Sequence, residues 1–226
     1  MRLAVWDVDG TLVDSRSSIF RAAVEAANVI GVEPPTYSDV RAIVGISLFE
    51  ALQQMRPDLD QATVQAYTDE FKNAFLRFHD DPDFTEGLYV GATDSIRRLK
   101  DDGWFIGMAT GQSRRGVERN LDLHGWRDLF DITFCADDGP SKPHPHMLEC
   151  NMKALGLDPH QTVMIGDTTH DITMARRAKV HALGVSWGFH TPEELEAAGA
   201  HRIVHTFDEL NVALDAFAPE SVSLNH

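Results

Sequence analysis

Acidic, hydroxyl and lysine side chains are concentrated in four short polar segments, and each begins at or just after the end of an apolar run. These polar segments are residues 7–11, 110–113, 141–143 and 166–171. In an open parallel sheet, ligands bind at the carboxyl ends of the strands. Acids scattered over a surface would not follow apolar runs selectively, so the four segments predict one site at one edge of a sheet.

The first polar segment has the sequence DVDGT and carries two carboxylates, Asp7 and Asp9. An extended turn places both side chains on the same side, and Gly10 is free to adopt a tight backbone conformation. Paired carboxylates suit a nucleophile with an acid or base, and they also suit a metal site. A solvated acidic turn is the alternative, and the position directly after an apolar run disfavours it.

The last polar segment adds Asp167 and Asp171, which stand four residues apart where an apolar run gives way to a helical pattern. Hard oxygen ligands of this kind suit Mg²⁺. Taken alone, the pair is better explained by capping of the following helix. Considered together with Asp7 and Asp9, it favours a magnesium site.

The two middle polar segments supply groups that could hold a phosphate. Thr110 and Gly111 offer a hydroxyl and a closely approaching backbone amide, although such pairs also cap many helices. Lys142 is a cation in a loop rich in proline. Lone lysines are usually solvated, but proline stiffens this loop and so favours a defined position for the Lys142 side chain.

The elements that must position these residues alternate between strand and helix. Short apolar runs predict strands at residues 3–6, 105–109, 132–135, 163–165, 182–185 and 202–204. Helical patterns occur at residues 93–100, 116–124, 146–155, 172–178, 193–198 and 208–217. This alternation predicts an α/β fold with a doubly wound, mostly parallel, Rossmann-like sheet.

Residues 15–87 interrupt the alternation because they show helical periodicity without strand runs. Ser47 and Glu50 form a capping-box pair that opens a predicted helix over residues 48–55. Another helix carries a stripe that is interpreted as core packing, made of Tyr67, Phe71, Ala74, Phe75 and Phe78. The sequence therefore predicts an α/β core domain of residues 1–14 and 88–217, an inserted helical cap domain of residues 15–87 and a tail of residues 218–226.

Composition limits the classes of partner. The chain has 226 residues and 43% hydrophobic content, enough for one sizeable core with a smaller inserted domain. Its formal net charge of −15 repels phosphate backbones and anionic membranes, so neither nucleic acid nor a membrane is expected as a partner. No run approaches the ~18 apolar residues of a membrane span. We expect a cytoplasmic protein in which Cys135 and Cys150 are reduced thiols.

In their order along the chain, the four polar segments resemble the four motifs of the haloacid dehalogenase superfamily, over residues up to about Phe217. The inserted helices resemble the cap of the subgroup that contains phosphoglycolate phosphatases and β-phosphoglucomutases. The resemblance implies a magnesium-dependent phosphatase in which Asp7 is the nucleophile and Asp9 the acid and base. An aspartyl-phosphate on Asp7 would then be hydrolysed by water that Asp9 activates.

The same resemblance implies roles for the remaining motif residues. Thr110, Gly111 and Lys142 would hold the phosphate, with Lys142 as the catalytic cation. The metal ligands would be Asp7, Asp9 and Asp167. Asp171 would support them from outside the ligand set.

Substrate choice is implied by fewer residues. The cap loop that resembles the substrate-facing loop of the subgroup consists of Gly45, Ile46, Ser47 and Leu48. Arg114 and Arg115 are further candidates, for a substrate carboxylate, although solvated arginines at an exposed helix start explain them at least as well. Gln112 differs from the Asn common at this position in phosphoglycolate phosphatases, which disfavours 2-phosphoglycolate itself. The expected partner is a small phosphorylated, phosphoglycolate-like metabolite, bound by a monomer or a homodimer.

Two alternatives to a phosphatase stay open. A phosphosugar mutase of the β-phosphoglucomutase type would use the same two acids but return the phosphoryl group to a sugar. The Gly10-Thr11 pair favours a hydrolase, and release of free phosphate without a bisphosphate activator would distinguish the two. A non-catalytic regulatory protein with the same fold is the other alternative, and its usual mark, loss of a motif residue, is not found here.

Overall fold

The computed structural model describes residues 1–80, 84 and 86–217. Within these residues the chain forms a six-stranded sheet and a separate two-stranded ribbon. In chain order the strands are β1 (Leu3–Trp6), β2 (Val13–Asp14), β3 (Gly87–Leu88), β4 (Phe105–Ala109), β5 (Ile132–Phe134), β6 (Thr162–Gly166), β7 (His181–Val185) and β8 (Arg202–Val204).

The large sheet has the order β5-β4-β1-β6-β7-β8, and its neighbouring strands are parallel. β1 lies between β4 and β6, with Val5 opposite both Gly107 and Met164. The carboxyl ends of these three strands therefore lie side by side. The predicted α/β class with a mostly parallel sheet is confirmed.

Helices pack on both faces of this sheet and also form the inserted segment. In chain order they are α1 (Arg16–Ile30), α2 (Tyr37–Arg41), α3 (Leu48–Met55), α4 (Gln61–Asp80), α5 (Ala92–Asp101), α6 (Arg114–Leu123), α7 (His146–Leu155), α8 (Thr169–Arg177), α9 (Pro192–Ala197) and α10 (Phe207–Asp215). Along β1, Ala4 and Trp6 belong to one hydrophobic layer, whereas Leu3 and Val5 belong to the other. This alternation explains why β1 is buried on both faces.

The four helices from α1 to α4 share a hydrophobic cluster, which Phe189 from the loop after β7 joins. Small alanines on α1 allow α4 to approach closely, and Tyr67 Oη donates a hydrogen bond to the Ala23 carbonyl at 2.8 Å. The predicted aromatic stripe on α4 lies in this cluster, with Tyr67, Phe71 and Phe78 buried and Phe75 partly buried. The sequence thus identified the packing face of α4 correctly.

The ribbon places the two ends of the inserted segment next to each other. β2 and β3 pair antiparallel, with Val13 opposite Leu88 and Asp14 opposite Gly87. The division into a core of residues 1–14 and 88–217 and a cap of residues 15–87 stays a prediction, and the ribbon lies where the two predicted boundaries meet. The predicted tail, residues 218–226, lies outside the described residues.

Two local predictions about helix starts need correction. Ser47 does not accept a backbone hydrogen bond at the start of α3, and its hydroxyl instead donates to Glu50 Oε2 at 2.7 Å. α8 begins at Thr169, three residues before the predicted start, because Thr168 and Asp171 form a capping box. In the described part of the chain, no helix is long and apolar enough to cross a membrane.

Candidate active site

Asp7 lies directly after β1, at the carboxyl edge of the sheet. Its side chain is 1% exposed, and its backbone N–H donates to the Ile165 carbonyl at 3.0 Å, which continues the pairing with β6. In the turn that follows, Gly10 has a φ of 80°, and a Cβ atom there would lie 2.2 Å from Asp167 Oδ2. Glycine at this position therefore allows the Asp7 turn to pack directly against Asp167.

Asp167 follows β6 and is fully buried. Thr11 Oγ1 donates to its Oδ1 at 2.7 Å, and the Phe189 N–H donates to its Oδ2 at 2.8 Å. Burial raises the pKa of Asp167 to about 7, and the negative charge of Asp171 adds to this rise. The two hydrogen bonds fix the direction of the carboxylate beside Asp7.

Lys142 brings a positive charge into the same buried space from the loop between β5 and α7. Its side chain is 2% exposed, and Nζ lies 2.7 Å from Asp7 Oδ1 and 2.6 Å from Asp171 Oδ1. Burial by itself would lower the pKa of Lys142, but the charges of Asp171 and Asp7 outweigh burial and raise the pKa. The Lys142 ammonium therefore stays charged at neutral pH.

Asp171 caps α8 and also contacts Lys142. Its Oδ2 accepts hydrogen bonds from the Thr168 N–H at 3.1 Å and from Thr168 Oγ1 at 2.7 Å, while its N–H donates to Thr168 Oγ1 at 3.3 Å. Its other oxygen, Oδ1, contacts Lys142. The sequence offers helix capping and clustering with the other acids as alternative explanations of Asp171. In the structure Asp171 caps the helix and also lies beside Asp7 and Asp167.

Asp7, Asp167 and Asp171 form a buried carboxylate group, in which one oxygen of each residue lies within 4.8 Å of the others. Burial raises the pKa of Asp7 well above its usual value, and the charge of Lys142 opposes this. Within the described residues, Asp7 Oδ2 has no hydrogen-bond partner. Three carboxylates facing one ammonium carry excess negative charge, and hard oxygen donors suit hard cations. These residues therefore fit a divalent cation.

Asp9 lies apart from the carboxylate group. Its Oδ2 accepts a hydrogen bond from Gln112 Nε2 at 2.8 Å, and Gln112 Oε1 in turn accepts one from Asn120 Nδ2 at 2.9 Å. The Asp9 side chain lines the adjoining cavity together with Asp7. Its role as a metal ligand stays a prediction, and its position at the cavity suits contact with a leaving group.

Thr110 and Gly111 follow β4, next to the end of β1. Thr110 is buried, and its Oγ1 accepts a hydrogen bond from the Gln112 N–H at 3.2 Å. A Cβ atom at Gly111 would lie 2.6 Å from the Ile46 carbonyl oxygen. The inserted segment thus touches the backbone of Gly111, and the phosphate-holding roles of Thr110 and Gly111 stay predictions.

The predicted substrate-facing loop lies over this edge of the sheet. The Ser47 N–H donates to Ser141 Oγ at 2.7 Å, beside Lys142. A cavity of about 660 Å³ is lined by Asp7 and Asp9 together with all four residues of the loop, Gly45, Ile46, Ser47 and Leu48. The structure therefore brings the loop and the two acids of the first polar segment to one cavity.

Comparison with known proteins identifies the family. The chain matches the haloacid dehalogenase-like hydrolases over residues 4–185, a range that contains all four polar segments. The chain belongs to this family. The hydrolase is 34% identical over 227 residues to the probable phosphatase IndB of Dickeya dadantii (strain 3937), covering 98% of this chain and 96% of that protein.

Further relatives agree with this assignment. The hydrolase is 30% identical over 194 residues to the pyrophosphatase PpaX of Bacillus pumilus (strain SAFR-032), covering 84% of this chain and 86% of the relative. A solved structure of a predicted phosphoglycolate phosphatase from Haemophilus somnus 129pt shares the fold, with a TM-score of 0.81 and 21% identity, covering 94% of this chain and 98% of that one. The family resemblance carried by the polar segments is confirmed.

Arg114, a candidate for a substrate carboxylate, contacts β5 and the segment that follows it in the hydrolase. Its guanidinium donates to Thr133 Oγ1 at 2.7 Å and to the Thr133 carbonyl at 3.2 Å, and it pairs with Asp138. It is not among the residues that line the cavity. Arg114 is the first residue of α6, and these contacts attach the helix to β5 and to the segment that follows it.

Two other arginines of the hydrolase were missed at the sequence level. Arg41 Nε donates to the Phe189 carbonyl at 2.9 Å, and its guanidinium pairs with Glu194, so that α2 is attached to the loop after β7. Arg119 lines the cavity. It stands four residues after Arg115, which also lines the cavity, and this spacing within α6 places both on one helical face. The spacing of the two arginines was the available clue.

Proposed function

We propose that this hydrolase is a magnesium-dependent phosphatase that cleaves a phosphate monoester through an aspartyl-phosphate on Asp7. The observation that carries the proposal is the contact of Lys142 with both Asp7 and Asp171 in a buried carboxylate group. A carboxylate held in place by a buried cation is oriented for attack on phosphorus. The phosphatase and pyrophosphatase names of the two relatives support phosphate chemistry.

The chain's own residues divide the reaction into two steps. The Asp7 carboxylate forms a bond to phosphorus while the bond from phosphorus to the leaving oxygen breaks, and Asp9 gives that oxygen a proton. Asp9 then takes a proton from water, which attacks phosphorus and releases Asp7 and free phosphate. The hydrogen bond from Gln112 holds the Asp9 carboxylate at the cavity during both steps.

The phosphate oxygens would accept hydrogen bonds from groups directly after β4 and from the loop before α7. The Thr110 hydroxyl, the Gly111 amide and the Lys142 ammonium are the proposed donors. Because Lys142 also contacts Asp7, its charge reduces the repulsion between the attacking carboxylate and the phosphate dianion.

Mg²⁺ bound by Asp7 and Asp167, with Asp9 as the further ligand proposed from the family, would neutralise charge on the phosphate and the carboxylates. Asp171 supports this set through the capping box and through Lys142. The excess negative charge of the buried carboxylate group is the property of this chain that supports a divalent cation.

The test is release of free phosphate by the purified protein from a panel of phosphate esters, in EDTA, in Mg²⁺ and in Ca²⁺. Turnover should require Mg²⁺ and no bisphosphate activator, and Ca²⁺ should support it poorly because its larger coordination shell is looser. Asp7→Asn should abolish turnover and keep the fold, whereas Asp94→Asn, an exposed control on α5, should change neither. Full activity in EDTA, or phosphate release by folded Asp7→Asn, would overturn the proposal.

A further inference from the structure

The cavity beside Asp7 and Asp9 is larger and more apolar than a two-carbon substrate needs. Its volume of about 660 Å³ lies within the range of roughly 300–1,000 Å³ that is usual for pockets of drug-sized ligands. Beyond the two acids, most of the lining belongs to the inserted segment, and the side chains there include Phe49, Leu52, Met55, Phe71, Phe75 and Leu76. A phosphoglycolate-sized leaving group would leave these side chains uncovered.

The apolar wall of the cavity carries two stacked aromatic rings. Phe71 and Phe75 stack on each other with ring centroids 5.4 Å apart and an interplanar angle of 20°. Both lie on the α4 stripe, and both line the cavity as well as packing in the cluster of α1 to α4. Stacked aromatic side chains at a cavity wall favour flat or bulky apolar groups of a ligand.

Three cationic residues line this cavity, namely Lys72, Arg115 and Arg119. Of these, Arg119 has a buried side-chain nitrogen, Nε, without a hydrogen-bond partner among the described residues. It projects from α6 with its guanidinium 6.0 Å from the Phe75 ring centroid. Glu86 and Asp9 are the acids whose charges act on it. Because buried donors are nearly always paired, an unused guanidinium donor on a cavity wall indicates a ligand group that completes it.

We propose that the substrate is a phosphate monoester whose alcohol has an apolar, ring-sized body that packs on Phe71 and Phe75 and an anionic group, such as a carboxylate, that Arg119 binds. This inference rests on the proposed function of Asp7. It makes Arg119 a specificity residue that contacts the leaving-group part of the substrate. Inorganic pyrophosphate and 2-phosphoglycolate, which lack an apolar body, are then poor substrates.

The experiment compares kcat/KM for ethyl phosphate, benzyl phosphate and the isomeric carboxybenzyl phosphates, whose alcohols are of similar intrinsic reactivity. Wild-type protein should prefer benzyl over ethyl phosphate by roughly 10- to 100-fold, the effect of burying a ring-sized group. At least one carboxybenzyl isomer should gain a further factor of roughly 10 to 100 from a charged hydrogen bond. Equal rates for all esters would overturn the inference and leave the phosphatase proposal intact.

Variants of Arg119 and Phe75 test which residue produces the gain in kcat/KM from the carboxylate and which produces the gain from the ring. Arg119→Met should lose the carboxylate gain while keeping the preference for benzyl over ethyl phosphate, and Arg119→Lys should recover part of it. Phe75→Ala should lose the benzyl preference instead. Arg97→Met, an exposed control on α5, should change neither gain. Loss of activity by Arg119→Met in equal proportion on every ester, ethyl phosphate included, would show a structural role and contradict the inference.

Measurements of ligand binding test the proposed substrate recognition independently of the proposed phosphatase reaction. In the Asp7→Asn background, where turnover is not needed, calorimetry should show the same order of Kd values, with the carboxybenzyl isomer tightest and ethyl phosphate weakest. If that order is found but no ester is hydrolysed by wild-type protein, the phosphatase proposal fails and the recognition stands. If no order is found, the recognition fails whatever the turnover.

Discussion

Replacing Lys142 by methionine should destabilise the protein in a strongly pH-dependent way. Lys142 is fully buried and contacts Asp7 Oδ1 at 2.7 Å and Asp171 Oδ1 at 2.6 Å. Methionine keeps most of the length of the unbranched side chain and removes the charge. Asp7, Asp167 and Asp171 would then lie within 4.8 Å of one another without the ammonium that compensates them.

The size of the effect follows from the burial of the pair. Removing one partner of a buried ion pair costs roughly 3–5 kcal/mol of folding free energy. In a domain of this size each kcal/mol lowers Tm by roughly 2–4 °C, so the variant should melt roughly 6–20 °C below wild type in EDTA. That is a large share of the roughly 5–15 kcal/mol that stabilises a typical domain.

The pH dependence has a definite sign. Burial raises the pKa of Asp167 to about 7 and that of Asp7 well above its usual value, so the folded protein holds protons that the unfolded chain would release. The contribution of Asp7 and Asp167 to the stability of the metal-free protein should therefore be most favourable at low pH and should fall as pH rises through about 7. The deficit of Lys142→Met relative to wild type should be largest above that pH, where the carboxylates are ionised.

Thermal melts followed by circular dichroism in EDTA, from about pH 5 to about pH 8, would measure both effects. Lys153→Met is the matched control, because Lys153 is exposed on α7 and its loss should leave Tm almost unchanged. Excess Mg²⁺ should restore part of the stability of Lys142→Met. If Lys142→Met and Lys153→Met have the same Tm at about pH 8, Lys142 does not compensate the charge of the buried carboxylates.

Three further predictions concern the acid, the cation and the loop. Asp9→Asn should lower kcat by a factor on the order of 10² to 10⁴, the usual effect of a positioned acid or base, and a near-normal rate would assign Asp9 another role. Because Asp167 must lose its proton to bind a cation, calorimetry should find Mg²⁺ affinity roughly tenfold lower at one pH unit below its pKa of about 7 than well above it. Equal affinity at both would exclude Asp167 as a ligand. Ile46→Ala and Leu48→Ala should change relative KM values among esters while acetyl phosphate is still turned over, whereas a uniform loss would make both residues packing residues.

The sheet and its polar edge could be predicted from the sequence because their signals are local. Each strand is a short apolar run, and each polar segment directly follows one, so that chain order and the rule for parallel sheets place Asp7, Thr110 and Asp167 at one edge. The meeting of Lys142 with this edge also followed, since its loop connects β5 to α7. For all four residues, the sequence predicted the edge of the sheet at which they lie.

The side-chain partners at the site depend on distances that sequence spacing does not determine. Arg114 and Arg119 both belong to α6, but only the rotation of that helix on the sheet decides that Arg114 contacts Thr133 and Asp138 while Arg119 lines the cavity. The contact of Asp9 with Gln112 likewise joins residues far apart in the chain.

Interpretation of the α4 stripe as core was correct but incomplete. Phe71 and Phe75 pack in the cluster of α1 to α4 and also line the cavity. Helical periodicity identifies an apolar face, and it does not distinguish a face covered by protein from one that also lines a cavity.

Phosphorylation of Asp7 is the event on which the proposed function depends. Rapid acid quenching of wild-type protein with Mg²⁺ and a turned-over ester labelled in its phosphate, followed by hydroxylamine treatment and peptide mass spectrometry, measures it directly. The expected result is a label that appears before steady state, is released by hydroxylamine and leaves a hydroxamate on Asp7, with no label in Asp7→Asn. Rapid turnover with no label on the protein, or with the label on a residue other than Asp7, would contradict the account.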